Sequence, residues 1–389
     1  MTRRSINGWA VACALLLPAA VQAAQVDVRD ARQAGRGGVG LTFDDSPGRW
    51  PAHDIMSLQL GVLASDEDRL LRDVDEFEQE LERQQNAVVA DGDALADRME
   101  AADGKIAQVD LGGQLTVAPI TAQPTLMLRQ QTRVGIRFRY DERDRETLNR
   151  AANTPGLIDL IGDLLGTPFF ERDDIESRVI ATGVAVTDLG IRQGWQHDDV
   201  NLRLAGTLKY QRVSLLNSSQ RASRFDISEL LRGAERRHHD TANIDLAALW
   251  HSDGPRPLAV AATVENLVPQ RFSGPDGVHF HQRPLIAVAL GQGGERWQAE
   301  LGVDVTRRTG YGELDSSRMA RVGGEYRVGR QGRVSAGYRH DLDGNVAHTV
   351  SLGAGLAVRR LHLDAAVLVG AGDTLGVTAG ISWRAADEQ

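Results

Sequence analysis

The sequence predicts an all-β protein: an antiparallel outer-membrane β-barrel of about fourteen strands, with helical insertions in long loops and an N-terminal plug-like segment. Three observations predict this class. The chain begins with an export signal, its later segments alternate polar and apolar residues, and long loops alternate with short turns. The 389 residues carry a formal net charge of −9 and no concentrated basic stripe, which argues against nucleic-acid binding.

Residues 1–23 have the layout of a cleaved secretory signal peptide. Arg3 and Arg4 form the basic region, residues 9–20 the apolar region, and Val21-Gln22-Ala23 the cleavage site. The apolar stretch is too short for a lasting transmembrane helix, so we expect export and cleavage. Because the only cysteine, Cys13, lies in this signal, the mature chain would have no disulfide and no thiolate nucleophile.

Residues 24–54 are interpreted as a plug-like segment that folds back into the mouth of the barrel. Its centre is the glycine-rich stretch 35–40. This stretch lacks the Gly-Lys-Ser/Thr ending of a phosphate-binding loop, and no strand–helix crossover follows it, as a dinucleotide fingerprint requires. We therefore expect no bound nucleotide, and no other part of the chain indicates a cofactor.

Residues 55–389 are predicted to form the barrel, because side-chain character alternates with a period of two residues. One face of residues 200–210 carries Val200, Leu202, Leu204, Leu208 and Tyr210, and the other carries Asn201, Arg203, Thr207 and Lys209. The same pattern predicts strands at about 55–64, 112–120, 125–140, 176–190, 200–214, 240–251, 257–267, 284–291, 296–306, 319–328, 332–340, 346–357, 360–369 and 374–384. In a membrane, the apolar face meets lipid and the polar face lines the interior.

The connections between these strands indicate an up-and-down barrel. Loops 65–111, 141–175, 215–239, 268–283 and 307–318 are long, whereas most of the intervening connections are short turns. Outer-membrane barrels place long loops on the cell surface and short turns in the periplasm. We therefore predict an outer-membrane location, with lipid as the first partner and both termini in the periplasm.

Charged residues on the presumed inner faces are the candidate lumen lining. They are Arg203, Lys209, Glu265, Asp304, Arg321, Glu325, Arg339 and Asp364. A polar, mutually paired lumen accommodates such residues. Trp250, Trp297, Tyr326, Tyr338 and Trp383 lie near strand ends, as interfacial aromatic girdles do.

Two of the long loops are predicted to contain helices, at about 66–100 and about 155–165. The second is followed by two phenylalanines, and together they give a strongly apolar patch formed by Leu157, Leu160, Ile161, Leu164, Phe169 and Phe170. This patch either packs onto the loops and the barrel rim or forms a site where hydrophobic compounds enter.

No catalytic or metal-binding constellation is evident in the sequence. His238 and His239 are assigned to the end of a long loop beside two arginines, which disfavour a bound cation. His279 and His281 would lie on one face of a strand, but no third ligand is near in sequence, and a surface loop beside Pro275 is the simpler assignment. No His-x-Ser pair and no Gly-x-Ser-x-Gly elbow occurs, so we predict a protein that is not an enzyme.

Several segments resemble a known group of exported barrels. Asp30-Ala31-Arg32 followed by Gly37-Gly38-Val39-Gly40 resembles the N-terminal motif of barrels similar to the long-chain fatty acid transporter (FadL-like barrels). Within that group the chain is most similar to the exported barrel-type conjugal-transfer TraF proteins. That likeness rests on segments 264–268, 284–289, 302–306, 321–326, 337–339 and 363–366, in this order. The chain departs from the family at Arg36, where methionine is usual, at Trp50, where asparagine is usual, and in continuing six residues past Trp383.

The resemblance implies two alternative functions. One is a structural or accessory barrel linked to conjugal transfer or envelope assembly, with proteins of that machinery as partners. The other is a FadL-like diffusion channel for hydrophobic small molecules. Charged strands that face the lumen favour the first function, and the apolar patch of residues 157–170 favours the second.

Overall fold

The computed structural model describes residues 31–36, 38–42, 54–66, 92–118, 124–152, 175–222 and 232–384, together with residues 68–70, 72–73, 76, 79 and 230. Three helices and sixteen strands lie in these ranges. The helices are α1 (Ala31–Gly35), α2 (Gly92–Ala102) and α3 (Arg143–Ala152). The strands are β1 (Asp54–Ser65), β2 (Ile106–Val117), β3 (Thr125–Arg139), β4 (Arg178–His197), β5 (Leu202–Arg221), β6 (Glu235–His251), β7 (Leu258–Glu265), β8 (Gln270–Ser273), β9 (His279–Gln282), β10 (Leu285–Gly293), β11 (Trp297–Asp304), β12 (Met319–Val328), β13 (Gly332–Asp341), β14 (Thr349–Val358), β15 (Leu361–Gly370) and β16 (Leu375–Arg384).

Fourteen of these strands form one closed antiparallel barrel, which confirms the predicted fold class. Each barrel strand pairs with its neighbours in the chain, and β16 closes the ring by pairing with β1 through residues 54–64. The two remaining strands, β8 and β9, form a separate hairpin within the connection from β7 to β10. Closure leaves no sheet edge along the ring, as a lipid environment requires.

The period-2 pattern of the sequence becomes two chemically different surfaces. On β5, Leu208 is 62% exposed on the outside whereas the neighbouring Lys209 is 0% exposed inside. The outer surface is a belt of exposed Leu, Val, Ile and aromatic side chains, here called the apolar belt. Trp195, Trp250, Trp297 and Trp383 lie on its outer face near the short turns. None of the described helices is long and apolar enough to cross a membrane.

The barrel wall has two heights. The tall wall, β3 to β6, has strands of 15 to 20 residues, and the short wall, β7 and β10 to β16, has strands of 8 to 10 residues. Beyond the apolar belt, α2 and α3 pack together and bury a hydrophobic cluster against β2 to β4 that includes Met99, Leu148 and Val179. The tall wall therefore supports a small second core outside the membrane-spanning part.

Several predicted boundaries are wrong, and the tall wall explains most of them. β2 begins at Ile106 instead of 112, β5 continues to Arg221, and β6 begins at Glu235, so the predicted loop 215–239 is much shorter. Helix α3 was not predicted. Within the range 66–100 predicted to contain a helix, residues 70, 72–73, 76 and 79 are helical, and α2 begins at Gly92. The helix predicted at 155–165 lies outside the described residues.

Candidate lumen site

A polar cluster on the inner face of the tall wall, joined by Glu265 of β7, centres on Arg129. Its Nε lies 2.8 Å from Asp188 Oδ2, and its guanidinium nitrogens lie 3.7 Å from Asp245 and from Glu265. Lys209 Nζ lies 2.7 Å from Asp245 Oδ1 and 3.6 Å from Asp188 Oδ2. Two cations thus share three carboxylates, so each buried charge has an opposite charge nearby.

The short wall has a second set of ion pairs on its inner face. Arg321 donates to both oxygens of Asp304, at 2.7 and 3.1 Å, and the backbone N–H of Met319 donates to the same carboxylate. Arg333 on β13 reaches across Gly355 of β14 to pair with Asp364 on β15. Arg321 and Asp304 lie on adjacent strands, where the sheet register holds them in place, so their pair needs little ordering of long side chains.

The N-terminal segment (residues 31–36 and 38–42) lies inside the barrel and is attached to two glutamates of the short wall. Glu325 on β12 accepts hydrogen bonds from Nε and Nη2 of Arg32, both at 2.8 Å, and lies 3.5 Å from Arg36 Nη1. Paired N–H donors of this kind make a strong and directional contact with a carboxylate.

Glu300 on β11 holds the other end of the segment through its backbone. Its carboxylate accepts from the N–H groups of Gly40, Leu41 and Thr42 at 3.0, 3.2 and 2.6 Å. The Thr42 hydroxyl donates to the same carboxylate at 2.5 Å. Consecutive N–H groups that converge on one carboxylate fix the backbone, whatever the side chains of the segment are.

Glycines of the short wall make room for the segment. A Cβ added to Gly323 would collide with the carbonyl oxygen of Arg36, and one added to Gly291 would collide with Thr42. Gly353 likewise faces Gly35, and its added Cβ would lie 2.8 Å from the Gly35 Cα. Close approach of two backbones requires glycine at such positions. The wall is therefore shaped to receive residues 31–42.

A polar cavity of about 180 Å³ lies between the N-terminal segment and the tall wall. Its lining includes Gly40, Arg129, Arg192, Glu265 and Glu300. Arg192 contacts the Thr207 hydroxyl at 3.3 Å and the Met127 sulfur at 3.7 Å. With charged groups on several sides, this cavity suits water and small polar molecules better than a hydrocarbon.

An apolar cluster occupies the interior at the long-loop end of the barrel. Phe272 and Phe280 of the β8–β9 hairpin stack at 6.2 Å and pack against Val213 on the inner face of β5. Tyr311 completes the cluster with its ring perpendicular to that of Phe280. Burial of its hydroxyl, together with the nearby Asp276 carboxylate, raises the pKa of Tyr311 to about 12. Tyr311 is therefore neutral at physiological pH.

All eight residues predicted to line the lumen lie on the inner side of their strands. Lys209, Asp304, Arg321, Glu325 and Arg339 are buried, and Arg203, Glu265 and Asp364 are partly buried. The sequence reasoning missed Arg129 and Asp188, each of which has a polar residue on one side, Gln130 and Thr187. Glu300 alternates with Ala299 and Leu301 but was not among the predicted lumen residues. The residues of the predicted hydrophobic access site, 157–170, lie outside the described residues.

The histidines occupy different elements from those predicted. His238 and His239 lie within β6 instead of a loop, and the ring of His238 is hydrogen-bonded to the Ser214 hydroxyl at 2.7 Å. His279 and His281 lie on the short strand β9, where the ring centroids are 6.5 Å apart. In the part of the chain that the structure describes, no group of three or more His, Cys, Asp or Glu side chains is arranged to hold a metal ion.

Comparison with known structures identifies the class of protein. The toluene transporter TbuX of Ralstonia pickettii has the same fold, with a TM-score of 0.51 at 9% sequence identity over 92% of this chain and 99% of that chain. The toluene transporter TodX of P. putida gives a TM-score of 0.50 at 10% identity over 93% and 99%. A TodX mutant described as a monoaromatic hydrocarbon channel gives 0.52 at 10% identity over 92% and 99%. The chain thus shares the fourteen-stranded barrel fold of these proteins.

The family follows from the sequence comparison. The model described as "F plasmid transfer operon, TraF, protein" matches residues 44–304, so the chain belongs to this TraF family. The resemblance inferred from the sequence motifs is confirmed. No curated protein matches the chain.

Proposed function

We propose that the protein is a closed, non-enzymatic barrel of the outer membrane that acts as an accessory component of conjugal transfer or of another envelope assembly. Membership of the TraF family supports the link to conjugal transfer. The observation that carries the closed state is the position of the N-terminal segment inside the barrel, where Glu300 and Glu325 of the short wall hold it.

In this proposal residues 1–23 direct export and are removed, and residues 24–54 form the plug. The barrel then inserts with its long loops outside and its short turns in the periplasm. The tryptophans near the short turns support this orientation in part, because tryptophan concentrates at membrane interfaces. The candidate lumen residues act by pairing with one another and with the plug, and none of them acts as a catalyst or as a metal ligand.

The electrostatics of the lumen support closure to hydrophobic compounds. A path for a hydrocarbon needs apolar walls, because moving such a molecule past charged groups gives up favourable hydration of those groups. Around the cavity, Arg129, Arg192 and Glu265 face inward, and Glu300 is held by the plug. These groups would have to separate before a continuous path formed.

A diffusion channel for hydrophobic small molecules is the second candidate. The fold shared with toluene transporters favours it. The buried aromatic cluster of Phe272, Phe280 and Tyr311 near the long-loop end also favours it, since such a surface holds apolar molecules when it opens. Residues 157–170 would then supply the point of access.

The test is permeability of liposomes that contain the purified mature protein. We expect no uptake of toluene, fatty acid or small sugars above that of empty liposomes. The variant Gly323→Ala should make the barrel leak small polar solutes, because its methyl group displaces the plug at Arg36. Gly302→Ala is the matched control, since the nearest atoms to its added Cβ are 3.7 Å away. Uptake of toluene or fatty acid by the unmodified barrel would contradict the closed state and support the second candidate.

An accessory role also requires a surface that meets other envelope proteins. The tall wall and helices α2 and α3 extend beyond the apolar belt and are the natural place for such contacts. Site-specific crosslinking from exposed positions on this surface, such as Glu146 and Ser219, should capture proteins of the transfer machinery in plasmid-bearing cells. The same crosslinker at Arg256, in a short turn at the opposite end, should capture a different set.

A further inference from the structure

The outer face of β12 to β14 changes abruptly from apolar to basic and aromatic at one level. Val322, Tyr338 and Val350 are direct cross-strand partners and form one row of the apolar belt. The next row toward the long loops contains His340, opposite Ala320, and His348, which lies just before β14. A change of this kind marks the level where hydrocarbon ends and lipid headgroups begin.

The rings of this face form one compact cluster. Tyr338 and His340 are stacked with centroids 6.4 Å apart and ring planes 7° from parallel. His348 lies 6.1 Å from Tyr338 and 6.5 Å from His340. Both histidines are exposed, so their ring nitrogens can reach a group outside the protein.

Two arginines of the adjoining loops share one buried carboxylate, that of Asp343. Arg307 lies 3.0 Å and Arg318 lies 3.7 Å from the Asp343 carboxylate. The other nearby acid, Asp341, is buried and accepts hydrogen bonds from backbone N–H groups, including those of Arg318 and Asn345. The two aspartates balance the two arginine charges, but the 3.7 Å contact between Arg318 and Asp343 is longer than a hydrogen bond. Arg318 Nε is buried without a hydrogen-bond partner among the described residues.

We propose that Arg307, Arg318, Tyr338, His340 and His348, here called the headgroup patch, bind a phosphate group of the glycolipid in the outer leaflet. Arginine and imidazole N–H groups suit phosphate oxygens, and the Arg318 guanidinium makes no hydrogen bond to a carboxylate among the described residues, so its donors can bind an anion. The apolar row of Val322, Tyr338 and Val350 directly below would contact the acyl chains of the same lipid. The inference rests on insertion with the long loops outside, as proposed above.

The opposite side of the barrel offers a matched control for this patch. On β5 and β6, Arg212 and His238 also lie on the outer face toward the long loops. There, however, Arg212 has a carboxylate of its own, because its Nε donates to Asp240 at 2.8 Å. The residue types are similar, but here the arginine is hydrogen-bonded to a carboxylate.

The experiment measures retention of bisphosphorylated lipid A by the purified mature barrel in detergent, by native mass spectrometry. The triple variant Arg318→Gln/His340→Gln/His348→Gln should lose about tenfold in affinity, as expected when charge-assisted hydrogen bonds to phosphate are removed. The control variant Arg212→Gln/His238→Gln should stay within about twofold. Unmodified protein should bind dephosphorylated lipid A as weakly as the triple variant binds the phosphorylated form.

Correct folding of each variant is checked by the heat-dependent shift in electrophoretic mobility of the barrel. Equal binding of phosphorylated and dephosphorylated lipid by the unmodified protein would overturn the proposal, as would equal losses in the two variants. If the triple variant does not fold, His348→Gln alone, at an exposed position, replaces it with the same two outcomes. A barrel that transports toluene would contradict the closed-barrel proposal and leave this lipid measurement unaffected.

Discussion

The tall and short walls of the barrel show which features the bilayer requires and which serve other purposes. The short-wall strands have 8 to 10 residues, about the length that spans the hydrocarbon core when strands are tilted. On β14, Leu352 is 65% exposed outside and Ser351 is 1% exposed inside, and the alternation continues along the whole strand. The short wall therefore contains few residues beyond those needed to cross the hydrocarbon core.

The tall wall has the same alternation only within the apolar belt. Above the belt, Val179 and Ala181 on the outer face of β4 are buried by the cluster that includes α2 and α3. Val184 and Val186 on the inner face are buried by the β8–β9 hairpin and Tyr311. Two covered faces are typical of a soluble protein core, so the upper tall wall is organised like a water-soluble domain. The predictions below test this difference, from the largest expected effect to the smallest.

The largest effect is expected in the ion-pair network of the tall wall. Asp188→Asn removes the charge that is shared by Arg129 and Lys209 and leaves both cations short of a partner. Removing one member of a buried ion pair costs about 3–5 kcal/mol. Urea unfolding in detergent micelles should show a loss of this size.

Asp240→Asn on the outer face of the same wall is the control for that measurement. The side chain of Asp240 is 49% exposed and that of its partner Arg212 is 55% exposed, so solvent screens the ion pair. The expected cost is less than about 1 kcal/mol. Equal losses in the two variants would mean that the interior of the tall wall is as well hydrated as its exterior.

The second effect distinguishes the two walls at their outer surfaces. Leu352→Arg places a charge in the middle of the short wall, where only lipid is available, and should cost about 2–4 kcal/mol. His238→Arg, on the outer face of the tall wall, should change stability by about 0.5 kcal/mol or less. The folded fraction in lipid bilayers, measured by electrophoretic mobility, reports both. A large loss for His238→Arg would place that part of β6 inside the membrane.

The fold was predictable from sequence because the bilayer imposes one simple pattern on every strand. Alternation of apolar and polar residues identified the fourteen barrel strands, since lipid selects Leu and Val on one face at every level of the belt. The alternation of apolar and polar residues is lost beyond the apolar belt. In residues 215–221 and 235–239 both faces of the wall meet protein or water, so the strands continue without the alternation that would reveal them.

The candidate site was predictable only in part, for a related reason. Charge on an inner face can be read from one strand, which is how Lys209 and Glu325 were found. Pairing depends on register between strands far apart in the chain, such as Arg129 on β3 and Asp188 on β4. Glu300 accepts from the backbone N–H groups of Gly40, Leu41 and Thr42. This contact could not be predicted from sequence, because it does not depend on which side chains the segment carries.

A smaller effect is expected in the domain that the tall wall supports. Asp144 of α3 is buried and accepts hydrogen bonds from the backbone N–H groups of Glu176 and Ser177 at 2.7 and 2.8 Å. Asp144→Ala leaves these donors unsatisfied and should cost about 1–3 kcal/mol. The loss should be local, so limited proteolysis should cleave near α3 while the barrel keeps its mobility. Glu146→Ala, on the exposed face of the same helix, should leave the cleavage rate unchanged.

The smallest effect concerns the hydroxyl of Tyr311 in the aromatic cluster inside the tall wall. This hydroxyl is buried without a hydrogen-bond partner in the described residues, so Tyr311→Phe should change stability by about 0.5 kcal/mol or less near neutral pH.

At high pH the stabilities of the unmodified protein and of Tyr311→Phe should diverge. The pKa of about 12 in the folded protein exceeds the ordinary tyrosine value of 10.0, so between these values the unfolded chain loses the proton first. The unmodified protein should therefore lose stability as pH rises through this window, by the linkage between proton binding and folding, and Tyr311→Phe should lose less. Parallel loss in both proteins would show that Tyr311 ionises normally and that water reaches the cluster.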